Sequence, residues 1–487
     1  MIRYIFALAF SFIFCSGFSQ NENDALRYSM IQFGGTARFV GMAGSMGALG
    51  ADASCASTNP AGYGRFTRSE FSLGLNYLDA GSKVSFNGTE SQAGRGNFNV
   101  SQFALIGAFK PSYSEDWKQI QFGVSYERYA LFHNRISING ENNSSLLDAF
   151  VGEANGVAEQ YLLADRPFYS GPAYWAYLID PLDTIANTYI SAIPDGRVEQ
   201  TRTIDRKGSI GETNFTLSGN YLDKLYFGGS LGFPKIRYTE KYDHEERPLD
   251  TSNALNSFTF SESLVTGGLG INFKVGIIFQ PVEWLRLGLA LHTASAFGLS
   301  DRWSTSVSSD FKGGENPDYQ EYSVLGSYNY RLRTPGRAIF SLGIILLKQG
   351  SISVDYERVN YSNSKMRPDR FDLAGYSFNE ENQAIKNSFR SASNLRIGAE
   401  WRIKPIYLRA GYALYGQPYK SGIVLTEPQR TLITGGIGYR NRIFYVDLAY
   451  MNMQWKEDYY MYNPALTNAA TFHSTIHSFI LSGGINF

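Results

Sequence analysis

The sequence predicts an all-β protein: a transmembrane antiparallel β-barrel of about 14 strands with an N-terminal hatch folded inside its lumen. Three observations lead there. Long segments alternate apolar and polar residues with period two, the connectors between them are by turns short and long, and a Gly-rich, turn-rich stretch precedes the first strand. Composition agrees. The 487 residues include 49 Gly, 33 Tyr and 34 Phe, with 18% charged, a balance that suits strands, turns and interfacial belts better than a helical enzyme. Basic and acidic side chains number 44 each, so no net charge points to nucleic acid. Beyond the leader no run of about 18 apolar residues marks a membrane-crossing helix. A closed barrel crosses with strands instead, because every backbone polar group is paired.

The elements follow in chain order. Residues 1–20 carry Arg3, an apolar run from Tyr4 to Phe14 and then small residues, the pattern of a secretory signal peptide with cleavage between Gly17 and Asn21. A lipoprotein signal ending at Cys15 is the rival, opposed by the bulk of Phe14. With the leader removed, Cys55 is the only thiol and no intrachain disulfide can form. Residues 21–66 are the expected hatch, with Gly34-Gly35, Gly41, Gly44, Gly47 and Gly50 interleaved with Phe39, Met42 and Met46. Asn59-Pro60 favours a turn, because the proline ring pushes the preceding residue out of the helical region. A barrel of this size has a lumen too wide for its wall side chains to fill, so a segment folded inside would gate it.

Residues 67–487 are the expected barrel. Strands are predicted near 69–79, 96–110, 118–137, 197–219, 224–243, 257–280, 285–308, 319–346, 351–362, 391–403, 406–416, 429–440, 442–455 and 473–487. In the seventh, Leu285, Leu287, Leu289 and Leu291 alternate with Arg286, Gly288, Ala290 and His292, one set on each face. Short connectors at 220–224, 280–284, 346–350, 402–405 and 439–442 mark one rim; long ones near 138–196, 244–256, 363–390 and 456–472 mark the other. Pro335-Gly336 reads as a kink inside one long strand, which keeps the count even. Within 138–196, Ser145 and Asp148 have capping-box spacing. Leu146, Leu147, Phe150 and Val151 then share a helical face that either packs on neighbouring loops or forms an outer docking groove, and a second short helix covers Ala158 to Asp165.

Catalytic signatures are absent: the sequence has no GxSxG, no HExxH and no P-loop. His473 and His477 lie about 13 Å apart on an alternating strand, too far to share one ion. The acidic run at 243–246 reads as a solvated loop, and Arg396, Glu400, Arg409 and Asp447 as paired charges bracing the interior or the hatch. No metal, cofactor or enzymatic activity is expected.

The stretch GTARFVGMAGSMGALGADASCASTNPAGYG, with its Gly-rich run and Asn59-Pro60-Ala61, resembles the hatch of the FadL/TodX family of outer-membrane transporters for long-chain fatty acids and hydrocarbons. YNYRLRTPGRAIFSLGI and the terminal SGGINF are similar to the same family, particularly members often labelled haemin receptors or outer-membrane transport proteins. The resemblance implies a monomeric barrel of about fourteen strands in the outer membrane of a Gram-negative bacterium. Such a barrel captures an apolar ligand at the surface and, on hatch movement, releases it sideways into the membrane lipid. Asn59, Pro60, Ala61 and Gly62 are then the gating residues, and Phe33, Phe39, Met42 and Met46 the ligand path. In that family the sideways route goes with an inward kink of the third strand, yet VSYERYALFHNRISI (124–138) has no Gly or Pro to make one. The longest helical loop also follows strand three rather than a later one. Phe479, Leu481, Gly483, Ile485 and Phe487 share one face, and a terminal aromatic is the expected signal for the barrel-insertion machinery. The leading function is passive uptake of a hydrophobic small molecule; haemin uptake and a structural or adhesive barrel are the alternatives.

Overall fold

The computed structural model describes residues 21–487 apart from 113, 314–317, 373–374 and 426–428, so the predicted leader lies outside the described residues. Fourteen antiparallel strands close on themselves. They are β1 (Glu70–Phe86), β2 (Thr89–Phe109), β3 (Trp117–Leu131 and Asn134–Asn142), β4 (Val198–Tyr221), β5 (Leu225–Pro248), β6 (Leu255–Val282) and β7 (Leu285–His292 and Ala296–Phe311). They continue as β8 (Asp318–Tyr322, Gly326–Arg333 and Arg337–Leu346), β9 (Gly350–Asn360 and Lys365–Pro368), β10 (Ser391–Ile403), β11 (Ile406–Tyr415), β12 (Arg430–Arg440), β13 (Phe444–Tyr459) and β14 (Ala470–Asn486). Each strand pairs with its neighbours in sequence, and β14 returns to β1 from Glu70 opposite Asn486 to Ser85 opposite Thr471. Closure gives every strand a partner on both sides.

Period two separates the faces. Leu217, Leu269, Phe273, Ile277, Leu287 and Leu481 point outward and are exposed, forming an apolar outer surface. The interleaved Ser218, Asn272, Lys274, Glu400 and Asp447 point inward and are buried.

Several boundaries differ from expectation, among them those at β1 and β5. β1 runs on to Phe86 and meets β2 through a two-residue turn at Asn87-Gly88, both with positive φ, the backbone that a tight hairpin requires. Gly81 and Ser82 interrupt the apolar alternation, but Ala80, Val84 and Phe86 continue it on the inner face. The acidic run at 243–246 is strand rather than solvated loop: β5 extends to Pro248, with His244 and Glu246 wholly buried. The expected break at Pro335-Gly336 falls inside β8 and is matched by one in β7, where the Thr334 N–H donates to the Ser295 carbonyl at 3.0 Å.

The hatch occupies the lumen as α1 (Glu22–Ser29), α2 (Ala37–Gly41), α3 (Cys55–Thr58) and a 3-10 turn, Pro60–Arg65. The connector after β3 holds α4 (Leu146–Ala154), α5 (Glu159–Asp165) and α6 (Ser170–Trp175), the last not foreseen; α7 (Asn379–Ser388) precedes β10.

Candidate functional site: the hatch and its seat

The hatch is short of regular structure, so side chains and wall contacts hold it. Thr36 caps α2 by accepting from the Phe39 N–H, and its own hydroxyl donates to Asp52 at 2.8 Å. Asn59 does three things at once. Its Oδ1 accepts from the Ala61 N–H at 3.1 Å, while Nδ2 donates to the Gly47 carbonyl at 2.7 Å and to the Ile277 carbonyl of β6 at 3.3 Å. Pro60 starts the 3-10 turn, where its missing N–H costs nothing.

Wall glycines let the hatch come within backbone contact. A Cβ on Gly228 of β5 would lie 2.3 Å from the Pro60 carbonyl carbon, and one on Gly276 of β6 would lie 1.9 Å from Asn59 Oδ1. On the far side, a Cβ on Gly398 of β10 would lie 2.4 Å from the Met42 carbonyl. The wall behind Pro60 is thus one backbone thick. On its outer surface lies an apolar hollow of about 550 Å³ bordered by Trp117, Leu217, Phe227, Val275 and Leu289.

Charges pin the hatch near the rim of short turns. Arg38 of α2 pairs with Glu400 of β10 at 2.9 Å; Glu400 also accepts from Arg409 at 2.9 Å, and Arg409 reaches Asp447 at 2.7 Å. The expected bracing by Glu400, Arg409 and Asp447 is therefore observed, with the hatch included. Arg396 lies on the same inner face beside Asp355 and Glu357. The Ser57 hydroxyl donates to Glu127 of β3 at 2.6 Å, and the Gly47 N–H to Asp355 of β9 at 3.1 Å.

Higher in the lumen aromatic and aliphatic side chains join the lining, beside the buried Asp301 of β7 and Arg337 of β8, which donates to the Ser29 carbonyl of α1. Leu26 and Tyr28 of α1 are buried among Tyr129, Tyr238, Phe297, Tyr330, Leu332 and Phe378. Tyr28 meets Tyr238 edge-on at 6.1 Å, and the Arg27 guanidinium sits 4.5 Å over the same ring. Strand alternation assigns the wall residues among them a face but not their company, and Phe378 comes from the connector before β10. The missed signal was aromatic residues at inner positions of β3, β5, β7 and β8 at the level of the strand breaks.

β3 leaves the wall at this level. Its ladder to β2 runs only from Phe109 opposite Ile120 to Gln102 opposite Glu127. Beyond a register shift between Arg128 and Ala130, β3 stays paired with β4 alone and packs Ile136 and Ile138 under Val84 and Phe86 of β1. The kink that the sequence of β3 gave no reason to expect is supplied by its neighbours. Gly208 of β4, at φ +119, accepts the Phe132 N–H at 3.0 Å. The hatch docks on the bulge: the Gln32 N–H donates to the Tyr129 carbonyl at 3.1 Å, and a Cβ on Gly34 would lie 2.0 Å from the Arg128 carbonyl oxygen.

The residues predicted from sequence divide as follows. Asn59, Pro60, Ala61 and Gly62 are all buried between hatch and wall. Phe33 and Phe39 border an inner cavity of about 50 Å³ that they share with Tyr129, Lys274, His292 and Arg337. Met42 and Met46 are buried in the packed hatch core instead. Leu146, Leu147 and Phe150 are buried against Phe258 and Phe260 of β6, with Val151 at the edge, so that face is already covered by the chain itself. Glu246 accepts from the Leu146 N–H at 2.9 Å and from the Ser145 hydroxyl, tying α4 to β5. Phe487 is exposed, and its N–H donates to the Ser69 carbonyl at 3.0 Å. Among the described residues no group of His, Cys, Asp and Glu could hold a metal ion.

No known family model matches the sequence, and no curated protein is similar to it in sequence. Solved structures are similar in fold. A FadL homologue of Pseudomonas aeruginosa superposes with a TM-score of 0.58 at 14% identity, covering 94% of this chain and 100% of its own. The toluene transporter TodX of Pseudomonas putida gives 0.55 at 13%, covering 94% and 99%. The toluene transporter TbuX of Ralstonia pickettii gives 0.51 at 14%, covering 94% and 100%. At these identities the likeness is one of fold. The chain has the hatch-plugged barrel architecture of these channels over nearly its whole length.

Proposed function

We propose that the chain is a passive, hatch-gated channel of the outer membrane that takes up hydrophobic small molecules such as long-chain fatty acids. The observation that carries this reading is the aromatic-rich section of the lumen around α1, closed below by the hatch. A pore for hydrophilic solutes has no use for an inner lining of Tyr129, Phe297, Tyr330 and Phe378. The fold likeness to a FadL homologue and to two toluene transporters supports the same reading. Residues 1–20 act as the export signal, residues 21–66 as the hatch, and Asn59 to Gly62 as its hinge against the wall. The ligand displaces α1, the hatch lifts from the β3 bulge at Gln32 and Gly34, and the ligand leaves sideways where β2 and β3 are unpaired. Phe33 and Phe39 border this path. Against haemin, the wholly or largely buried His244 and His292 are engaged by Glu246 and by the Thr58 carbonyl, each at 2.8 Å.

The test is uptake of radiolabelled oleate, toluene and a disaccharide by a Gram-negative host lacking its own hydrophobic channel. Expression of the chain should raise oleate or toluene uptake and leave the disaccharide unchanged. Disaccharide entry, or no gain for either apolar compound at normal barrel insertion, would contradict it.

A further inference from the structure

Near the short-turn rim, two guanidiniums meet across the boundary between hatch and wall. Arg65, the last residue of the 3-10 turn, donates through Nη1 to Gln280 Oε1 at 3.0 Å and to the Tyr226 hydroxyl at 2.8 Å. Arg286 of β7 donates through Nε to the same Gln280 Oε1 at 3.2 Å and through Nη1 to the Leu49 carbonyl of the hatch at 3.3 Å. Two cations therefore share one neutral oxygen, and among the described residues neither has a carboxylate within ion-pair distance.

The surroundings do not make up the deficit. Asp223, on the adjoining turn, accepts from Asn220 at 2.7 Å, and Glu283 faces Lys348 at 3.8 Å. Glu400 is already shared by Arg38, Arg402 and Arg409, and Asp447 by Arg409 and Arg440. Arg65 Nε is buried and has no hydrogen-bond partner. Like charges held together without a counter-ion are costly, whereas guanidinium forks match a planar or tetrahedral oxyanion well. Both side chains are only partly buried, so the pair is reachable from the short-turn side.

We propose that Arg65 and Arg286, with Tyr226 and Gln280, form an oxyanion-binding site at the periplasmic mouth of the lumen, which takes a molecule ending in a carboxylate or phosphate. An anion there bridges hatch to wall and holds the hatch seated. The proposal goes beyond uptake of apolar compounds and does not depend on it, because its test reads hatch position rather than transport.

Cys55 supplies the readout: it is wholly buried in the hatch and is the one cysteine after residue 20. The exported protein, freed of the leader that carries Cys15, is treated in lipid nanodiscs with a maleimide in octanoate, in inorganic phosphate, and in octanol as an uncharged control. Labelling should slow about tenfold once the anion exceeds its dissociation constant by about the same factor, and octanol should not slow it. Slowing lost in Arg286→Gln and kept in Arg286→Lys upholds the site. Octanoate as the effective anion then identifies an amphipathic carboxylate, and phosphate a free phosphate. Should Arg286→Gln fail to insert, as judged by heat-modifiable mobility, Arg65→Gln provides the same comparison. No slowing by either anion, or undiminished slowing in the glutamine variant, overturns the proposal.

Discussion

Replacing Gly228 by alanine tests the hatch seat where it is tightest. The added Cβ would stand 2.3 Å from the Pro60 carbonyl carbon, 2.4 Å from the Ala61 nitrogen and 2.4 Å from the Pro60 oxygen. All three are backbone atoms, so no rotamer change relieves them. Carbon atoms prefer separations of about 3.5–4.0 Å, so the hatch must withdraw by more than about 1 Å. Overpacking of this kind costs about 1–3 kcal/mol. β5 is held on both sides by long ladders to β4 and β6, so the hatch yields rather than the wall. A shift of that size raises the displaced population about 5- to 150-fold. Cys55 labelling by a maleimide in the inserted protein should accelerate in the same range. Gly229→Ala is the control, since its Cβ faces outward and meets the Phe273 ring at an ordinary 3.6 Å. Equal labelling of Gly228→Ala and parent, with the barrel intact, would refute the reasoning.

Three further outcomes are expected. Asn59→Ala strips the Gly47 and Ile277 carbonyls of a donor and the Ala61 N–H of its acceptor; at about 1–3 kcal/mol for buried groups left unpaired, Cys55 labelling should rise about tenfold while heat-modifiable mobility is unchanged. Glu400→Gln removes the charge shared by Arg38, Arg402 and Arg409, and breaking a buried pair costs about 3–5 kcal/mol. Its thermal midpoint should fall well below that of Arg402→Gln, whose more exposed pair is worth about 0–1 kcal/mol. Glu246→Ala unties Ser145 and Leu146 from β5, so limited proteolysis should cut within 143–197 faster than in the parent, with the barrel fragment resistant.

Much of the barrel was legible because period two and the position of short turns are local properties. The strands expected at 391–403 and 406–416 are β10 and β11, and the short connectors expected at 402–405 and 439–442 hold the turns at 404–405 and 441–443. The β3 kink was not legible, because its cause sits elsewhere: Gly208 is on β4 and Gly34 in the hatch, distant in sequence from Arg128. The hatch was legible as a turn-rich segment, and the turn at Asn59 from the Asn-Pro turn chemistry. What Met42 touches depends on wall glycines such as Gly398, far along the chain. The burial of Leu146 and Phe150 likewise depends on Phe258 and Phe260 across the rim. An amphipathic face announces that it will be covered, without saying by what.

The central claim is that an apolar molecule enters this lumen. A fatty acid carrying a diazirine in its chain, photolysed with the inserted protein and mapped by mass spectrometry, tests it directly. Adducts on Tyr129, Phe297, Tyr330 or Phe378 that unlabelled fatty acid competes away are the predicted result. Adducts confined to outward residues such as Leu269, Phe273 and Leu481, and insensitive to competitor, would contradict it.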